Sequence, residues 1–127
     1  LNLLLDTHAV IWWFAGEERM PTAVRAVIAE APLVYVSAIS AYEIRLKHRF
    51  GKLGVVDDLI SDFDGWLDHQ EFEALPLRID QALMAAGFEQ AHRDPFDRML
   101  IAQALLEDLA IVSNDTAFDA FGVNRIW

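Results

Sequence analysis

Four carboxylates stand where apolar runs end or where helices begin: Asp6, Glu43, Asp97 and Asp115. Asp6 closes Leu1-Asn2-Leu3-Leu4-Leu5. Glu43 follows Leu33-Val34-Tyr35-Val36-Ser37 by six residues. Asp97 lies in Asp94-Pro95-Phe96-Asp97, and Asp115 lies two residues past Leu109-Ala110-Ile111-Val112-Ser113. Brought to one edge of a sheet, such acids raise one another's pKa and destabilise the fold. A hard divalent cation resolves the conflict, because Mg²⁺ and Mn²⁺ prefer carboxylate oxygen and water. One or two such ions could activate a water and clamp a phosphodiester for in-line attack. The hydroxyls of Thr7 and Ser113 are placed to orient those carboxylates or waters.

Each acid also has a plain structural explanation. Asp is a favoured N-cap, and Asp6 precedes the helical stretch His8 to Phe14. Ser40-x-x-Glu43 spells a capping box. Ser37 competes with Ser40 as the cap, and that choice would set Glu43 nearly two turns into its helix, free to point at the strand ends. Asp94 reads as an N-cap with Pro95 at the first helical position, which leaves Asp97 in the first turn. Glu43 and Lys47 are spaced to pair across one turn.

The elements that must position these residues alternate between strand and helix. Short continuous apolar runs fit strands buried on both faces of a parallel sheet. Expected strands are Leu1–Leu5, Leu33–Val36, an edge strand Phe72–Leu77 with Pro76 inside it, Leu109–Val112, and a last one within Gly122–Trp127. Expected helices follow Asp6, run from Pro21 to about Ala31, and run from Ser37 to a C′ glycine at Gly51. Leu59, Ile60, Phe63, Trp66 and Leu67 form one helical face, with solvated aspartates around it. A further helix over Ile79 to about Gln90 should turn Ile79, Leu83 and Ala86 inward. Right-handed βαβ connections then bring the strand ends to one edge, where open α/β sheets bind ligands.

With 127 residues, 54% of them hydrophobic, the chain suits one domain with a real core, residues 1–127. It has no cysteine, hence no disulfide framework and no thiolate metal site. No transmembrane segment is read, and Asp6 and His8 interrupt the leucine-rich start, so a soluble cytoplasmic protein is expected. The absent initiator methionine suggests a trimmed or unusual start. His8, His48, His69 and His92 show no H-x-x-x-H spacing, which argues against zinc. The net charge of −10 opposes nonspecific nucleic-acid binding. The distribution qualifies this: Arg45, Lys47, Arg49 and Lys52 lie within eight residues, joined by His48, so a local basic surface survives.

Four blocks, in order and at matching spacing, resemble the PIN-domain family, and more narrowly the VapC-type toxins of type II toxin–antitoxin pairs. They are Leu-Leu-Asp6-Thr7-His8 with Trp12; Ser37-x-x-Ser40-x-x-Glu43-Ile-x-x-Lys47 with Gly51-Lys52-Leu53; Arg93-Asp94-Pro95-Phe96-Asp97-Arg98 with Ile101-Ala102; and Ile111-Val112-Ser113-x-Asp115 with Phe118 and Gly122-Val123. Ser113 stands where threonine is common, and both carry the hydroxyl. The resemblance implies a PIN-like α/β three-layer sandwich, a central mainly parallel sheet with helices on both faces. It implies a Mg²⁺- or Mn²⁺-dependent endoribonuclease whose acidic quartet is Asp6, Glu43, Asp97 and Asp115, with Thr7, Ser113 and Asp94 in support. It also implies a homodimer, an RNA substrate and a VapB-like antitoxin that pushes a basic side chain into the acidic site. A pocket of carboxylates is a natural receptor for Arg. Trp12 and Trp13, if exposed, could line the groove for that partner; both also read as core.

Two other classes fit parts of the pattern. A phospho-accepting receiver domain also gathers aspartates at parallel strand ends, but it needs a lysine at a later strand end, and none lies near Ser113. A PIN-fold interaction protein without catalysis is the other, and the presence of all four acids argues against it.

Overall fold

The computed structural model describes residues 1–50 and 54–127. Its centre is a five-stranded sheet in which every pair is parallel, in the order β3-β2-β1-β4-β5. The strands are β1 (Leu3–Leu5), β2 (Val34–Ser37), β3 (Glu73–Leu75), β4 (Ala110–Val112) and β5 (Arg125–Ile126). Helices α1 (Thr7–Ala15) and α2 (Thr22–Glu30) separate β1 from β2. Helices α3 (Ala38–Arg49), α4 (Asp57–Ser61) and α5 (Phe63–Gln70) separate β2 from β3. Helices α6 (Ile79–Gly87) and α7 (Pro95–Leu106) lead to β4.

Alternation along the strands builds two cores, one on each face of the sheet. Leu3, Leu5, Val34, Val36 and Val112 pack on one side with residues of α1, α2, α4 and α5. Leu4 and Ile111 pack on the other with Leu100, Ile101 and Ala104 of α7, and with Phe118 and Phe121. Because β1 and β4 are buried on both faces, their sequences read as unbroken apolar runs. The order 3-2-1-4-5 reverses direction between β1 and β4. The crevice at their carboxyl ends is therefore the switch point where doubly wound sheets take ligands. Asp6 N–H donates to Val112 O at 3.0 Å and fixes that seam.

The competition between caps resolves toward Ser37. Its hydroxyl accepts from Ile39 N–H at 3.0 Å, and Ser40 lies fully buried inside α3. The expected C′ glycine Gly51, and the Gly51-Lys52-Leu53 block, lie outside the described residues.

Three expectations need correction. The face running from Leu59 to Leu67 is carried by two helices rather than one. The chain breaks at Asp62, whose carboxylate caps α5 by accepting from Gly65 N–H at 3.1 Å. Pro76 lies just outside the edge strand β3, consistent with its missing donor. Helix α6 stops at Gly87, and its orientation is reversed: Ile79 is 82% exposed, Leu83 is 69% exposed and Ala86 is exposed. Gln81 and Ala85 face inward instead.

Gln81 turns inward because it belongs to a buried polar chain. Ser37 Oγ donates to Gln103 Oε1 at 2.6 Å. Gln103 Nε2 donates to Gln81 Oε1 and to Pro76 O, both at 3.2 Å, and Gln81 Nε2 donates to Glu107 Oε1 at 3.1 Å. This chain ties the end of β2 to α7 and α6, with its buried amides satisfied. No helix among the described residues is long and apolar enough to cross a membrane.

Candidate metal centre

The switch point collects acids from four segments. Asp6, at the end of β1, is buried; its Oδ1 accepts from Ala9 N–H at 2.8 Å, so it also caps α1. Burial raises the Asp6 carboxyl above the usual range, and the nearby Glu43 charge adds to this; hydrogen bonds from the Ser113 hydroxyl and Ala9 N–H, with the charge of His8, oppose it. Capping and membership of the acidic crevice are thus compatible roles for one residue.

Glu43 is 3% exposed on the second turn of α3. Its Oε2 lies 2.6 Å from Lys47 Nζ, the pair expected across one turn, while its Oε1 is buried without a partner. An unsatisfied carboxylate oxygen at depth is costly, and it is the kind of donor that a hard cation satisfies.

Asp97 sits in the first turn of α7. Asp94 caps that helix, with Oδ1 accepting from Phe96 N–H at 2.9 Å and Asp97 N–H at 3.2 Å. The Asp97 carboxyl is pushed up to about 8, first by burial and then by the charges of Asp94, Asp6, Glu43 and Asp115. The other three acids of the quartet therefore all act on Asp97. Asp115 follows β4; its Oδ1 accepts from Ala117 N–H at 3.0 Å and its N–H donates to Ser113 Oγ at 3.1 Å.

The remaining supports divide. Ser113 Oγ accepts from Asp115 N–H, and its hydroxyl helps to lower the Asp6 carboxyl. Thr7 Oγ1 bonds Ser40 Oγ at 3.1 Å, which ties the start of α1 to α3 one turn before Glu43. Trp12 is a core residue, flanked by Trp127 and by the Arg19 guanidinium, so it lines no open groove. Trp13 is half-buried, its indole N–H held by Gln70 Oε1 at 2.9 Å.

One residue was passed over in the sequence. His92 Nε2 lies 3.4 Å from Asp97 Oδ2 and 3.5 Å from Asp115 Oδ2. Among the described residues, these three are the group of acids and histidines whose ligand atoms lie within 4.8 Å of one another. The loop carrying His92 is held by Arg98, whose guanidinium donates to the carbonyls of Ala85, Phe88, Gln90 and His92. The available signal was position: His92 lies one residue before the Arg93-Asp94-Pro95-Phe96-Asp97 block.

The crevice can hold a hard cation against carboxylate oxygens, with His92 at its rim. A family model described as "PIN domain" matches residues 3–124. The chain is 25% identical over 117 residues to Ribonuclease VapC22 of Mycobacterium tuberculosis, spanning 90% of this chain and 87% of that protein. Its fold is similar to FitAcB from Neisseria gonorrhoeae, with a TM-score of 0.71, 25% identity and coverage of 98% and 96%. It is also similar to VapBC2 from Rickettsia felis bound to a promoter DNA fragment, with a TM-score of 0.71, 13% identity and coverage of 100% and 99%.

Proposed function

The chain belongs to the PIN-domain family, and on that premise we propose that it is a VapC-type endoribonuclease toxin that cleaves RNA phosphodiesters with Mg²⁺ or Mn²⁺ held by Asp6, Glu43, Asp97 and Asp115. The observation that carries this reading is geometric: the Asp97 and Asp115 carboxylates converge on His92 at the strand ends that also carry Asp6 and Glu43, and burial with the charges around it raises the Asp97 carboxyl. Such a constellation is unfavourable by itself and becomes favourable when a cation neutralises it. The unpartnered Glu43 Oε1 supports the same donor set.

When bound, the ion would supply a nucleophilic water and charge neutralisation at the phosphate. The chain's own residues do the rest. The Asp6 cap and the Ser113 hydroxyl fix one carboxylate, and the Asp94 cap fixes the turn that presents Asp97. Lys47 holds Glu43 in register. Its single ammonium leaves the second oxygen of Glu43 for the ion.

An antitoxin partner fits this reading. The R. felis relative is a VapBC2 assembly on promoter DNA, and a basic side chain reaching the carboxylates would take the place of the ion. A cytoplasmic homodimer is part of the same proposal.

The test is cleavage of a single-stranded RNA by purified protein in Mn²⁺, in Mg²⁺ and in chelator. Cleavage should require the metal and disappear in Asp6→Asn and Asp97→Asn. Metal-independent cleavage, or full activity in Asp97→Asn, would refute the proposal. A folded wild type that cleaves no RNA with either ion would point to a binding role instead.

A further inference from the structure

On an acidic molecule, bases without acidic partners are informative. Most of the cations in the described residues are already engaged. Arg19, Lys47, Arg78 and Arg125 face carboxylates, and Arg25 and Arg98 donate to backbone carbonyls. Arg45, Arg49 and Arg93 are exposed and make no ion pair among the described residues; Arg93 stands alone beside His92, whereas Arg45 and Arg49 lie together on α3.

These two arginines share a stripe with Tyr42 and Leu46, at positions i, i+3, i+4 and i+7, which is one face of a helix. The stripe lines a shallow groove of about 380 Å³ and spans roughly 10 Å along the helix axis. Tyr42 is 61% exposed, so its ring is available. It is not isolated, because its centroid lies 5.8 Å from that of Phe96. Phe96 is the residue before Asp97, and Glu43 is the residue after Tyr42. The stripe therefore begins at the rim of the carboxylate crevice and leads away from it. Phe50, 65% exposed, lies under the Arg49 guanidinium at the far end.

We propose that the Tyr42–Arg45–Arg49 stripe of α3 binds the single-stranded RNA flanking the cleaved bond, with Tyr42 as a platform for one base and the two arginines on the phosphates. This deepens the reading of the acidic crevice as a nuclease site and rests on it. A phosphate held at the carboxylates forces the neighbouring nucleotides onto surfaces contiguous with them, and this stripe is contiguous and cationic. Aromatic stacking with flanking cations is how single strands are held without sequence readout. A net charge of −10 disfavours RNA elsewhere on the surface and so makes a local track necessary.

The experiment has two arms on the same proteins. In chelator, anisotropy of a fluorescein-labelled oligouridylate measures binding by wild type, Tyr42→Ala, Tyr42→Phe and Arg45→Gln/Arg49→Gln across a salt series. In Mn²⁺, cleavage of the same RNA gives KM and kcat. Tyr42→Ala should weaken binding on the order of tenfold and Tyr42→Phe should restore it, because stacking needs the ring and not the hydroxyl. The double glutamine variant should flatten the salt dependence by about 1.4 in log–log slope, for two phosphates lost. In cleavage the effects should appear in KM. Thermal melts confirm that these surface variants fold. Binding unchanged in the variants overturns the proposal, as does equal loss in Tyr42→Phe and Tyr42→Ala. So does a surface that proves to hold an acidic protein segment while RNA binding stays intact. If wild type cleaves RNA and the variants keep its KM, the stripe is wrong and the nuclease reading stands. If the binding pattern holds but wild type cleaves nothing, the stripe stands and the nuclease reading falls.

Discussion

Replacing Asp97 by Asn removes one charge from the crevice at nearly constant shape, and its effect on stability can be worked from the structure. The carboxyl moves from an ordinary 3.8 to about 8. Folding therefore takes up a proton wherever the unfolded chain is ionised and the folded one is not. A raised acid of this kind costs nothing below about pH 4, costs progressively more as pH rises toward 8, and costs a constant amount above that. The upper limit is ~6 kcal/mol at 1.36 kcal/mol per pKa unit. Asp97 is partly solvent-exposed, so screening and relaxation reduce this, and about 2 kcal/mol is the expected size. Urea unfolding in chelator should thus find Asp97→Asn equal to wild type near pH 4 and more stable by about 2 kcal/mol from about pH 8 upward. Adding Mn²⁺ should stabilise wild type through binding to the native state and leave the variant nearly unmoved. Simple helix capping makes the opposite prediction. A carboxylate serving only the first turn of α7 would cost roughly 0.3–1 kcal/mol when neutralised, with or without metal. A pH-independent loss in Asp97→Asn, with no Mn²⁺ shift in wild type, would refute the reasoning.

Two further outcomes follow from the same geometry. Asp94→Asn should keep cleavage activity and lose no more than a few tenths of a kcal/mol, since Asn caps nearly as well as Asp, whereas Asp94→Ala should lose about 1 kcal/mol in thermal melts. Gln103→Leu leaves the buried Ser37 hydroxyl without its acceptor, while Gln81 Oε1 keeps the Arg78 N–H, and should cost roughly 1–3 kcal/mol, read by urea denaturation.

The sheet could be read in the sequence because β1 and β4 are buried on both faces, and such strands carry an apolar pattern that nothing else imposes. Asp6, Asp97 and Asp115 could be placed because each follows a strand or opens a helix, and a parallel topology leaves those positions one edge to share; Glu43, on the second turn of α3, depended on Ser37 rather than Ser40 being the cap. What periodicity does not contain is the neighbour. Along α6 it identified Ile79, Leu83 and Ala86 as an apolar face, but α7 offers that helix the amide of Gln103. The inward positions are the ones that answer it, Gln81 and small Ala85. Buried glutamines are uncommon enough that sequence reasoning places them outside. The break at Asp62 was hidden for a similar reason, because an aspartate among aspartates looks like a solvated face until its oxygen is seen capping a helix.

His92 shows where spacing rules mislead. The four histidines do not lie at zinc-ligand spacing, yet the fold brings one of them to the acids. Asp94 N–H donates to His92 Nδ1 at 3.3 Å, so Nδ1 is the acceptor and the proton of the neutral ring resides on Nε2. That Nε2–H faces the carboxylates of Asp97 and Asp115. A nitrogen bearing a proton does not ligate a cation, and at 3.4 and 3.5 Å Nε2 is buried without a hydrogen-bond partner, so in this tautomer His92 stands beside the two carboxylates and leaves the ion to them. Ligation through Nε2 would require the proton to move to Nδ1, and the bond from Asp94 would be lost. Nitrogen-15 NMR separates the two states. Nε2 should appear as the protonated nitrogen and Nδ1 as the unprotonated one, before and after Mg²⁺ is added. His92→Ala should weaken Mg²⁺ binding by about 10- to 100-fold, the usual size for a residue behind the ligands, and His92→Gln should recover part of that, since its amide N–H can still reach a carboxylate. A tautomer switch on adding Mg²⁺ would instead make His92 a ligand, and the crevice a mixed nitrogen–oxygen site suited to a softer metal than Mg²⁺.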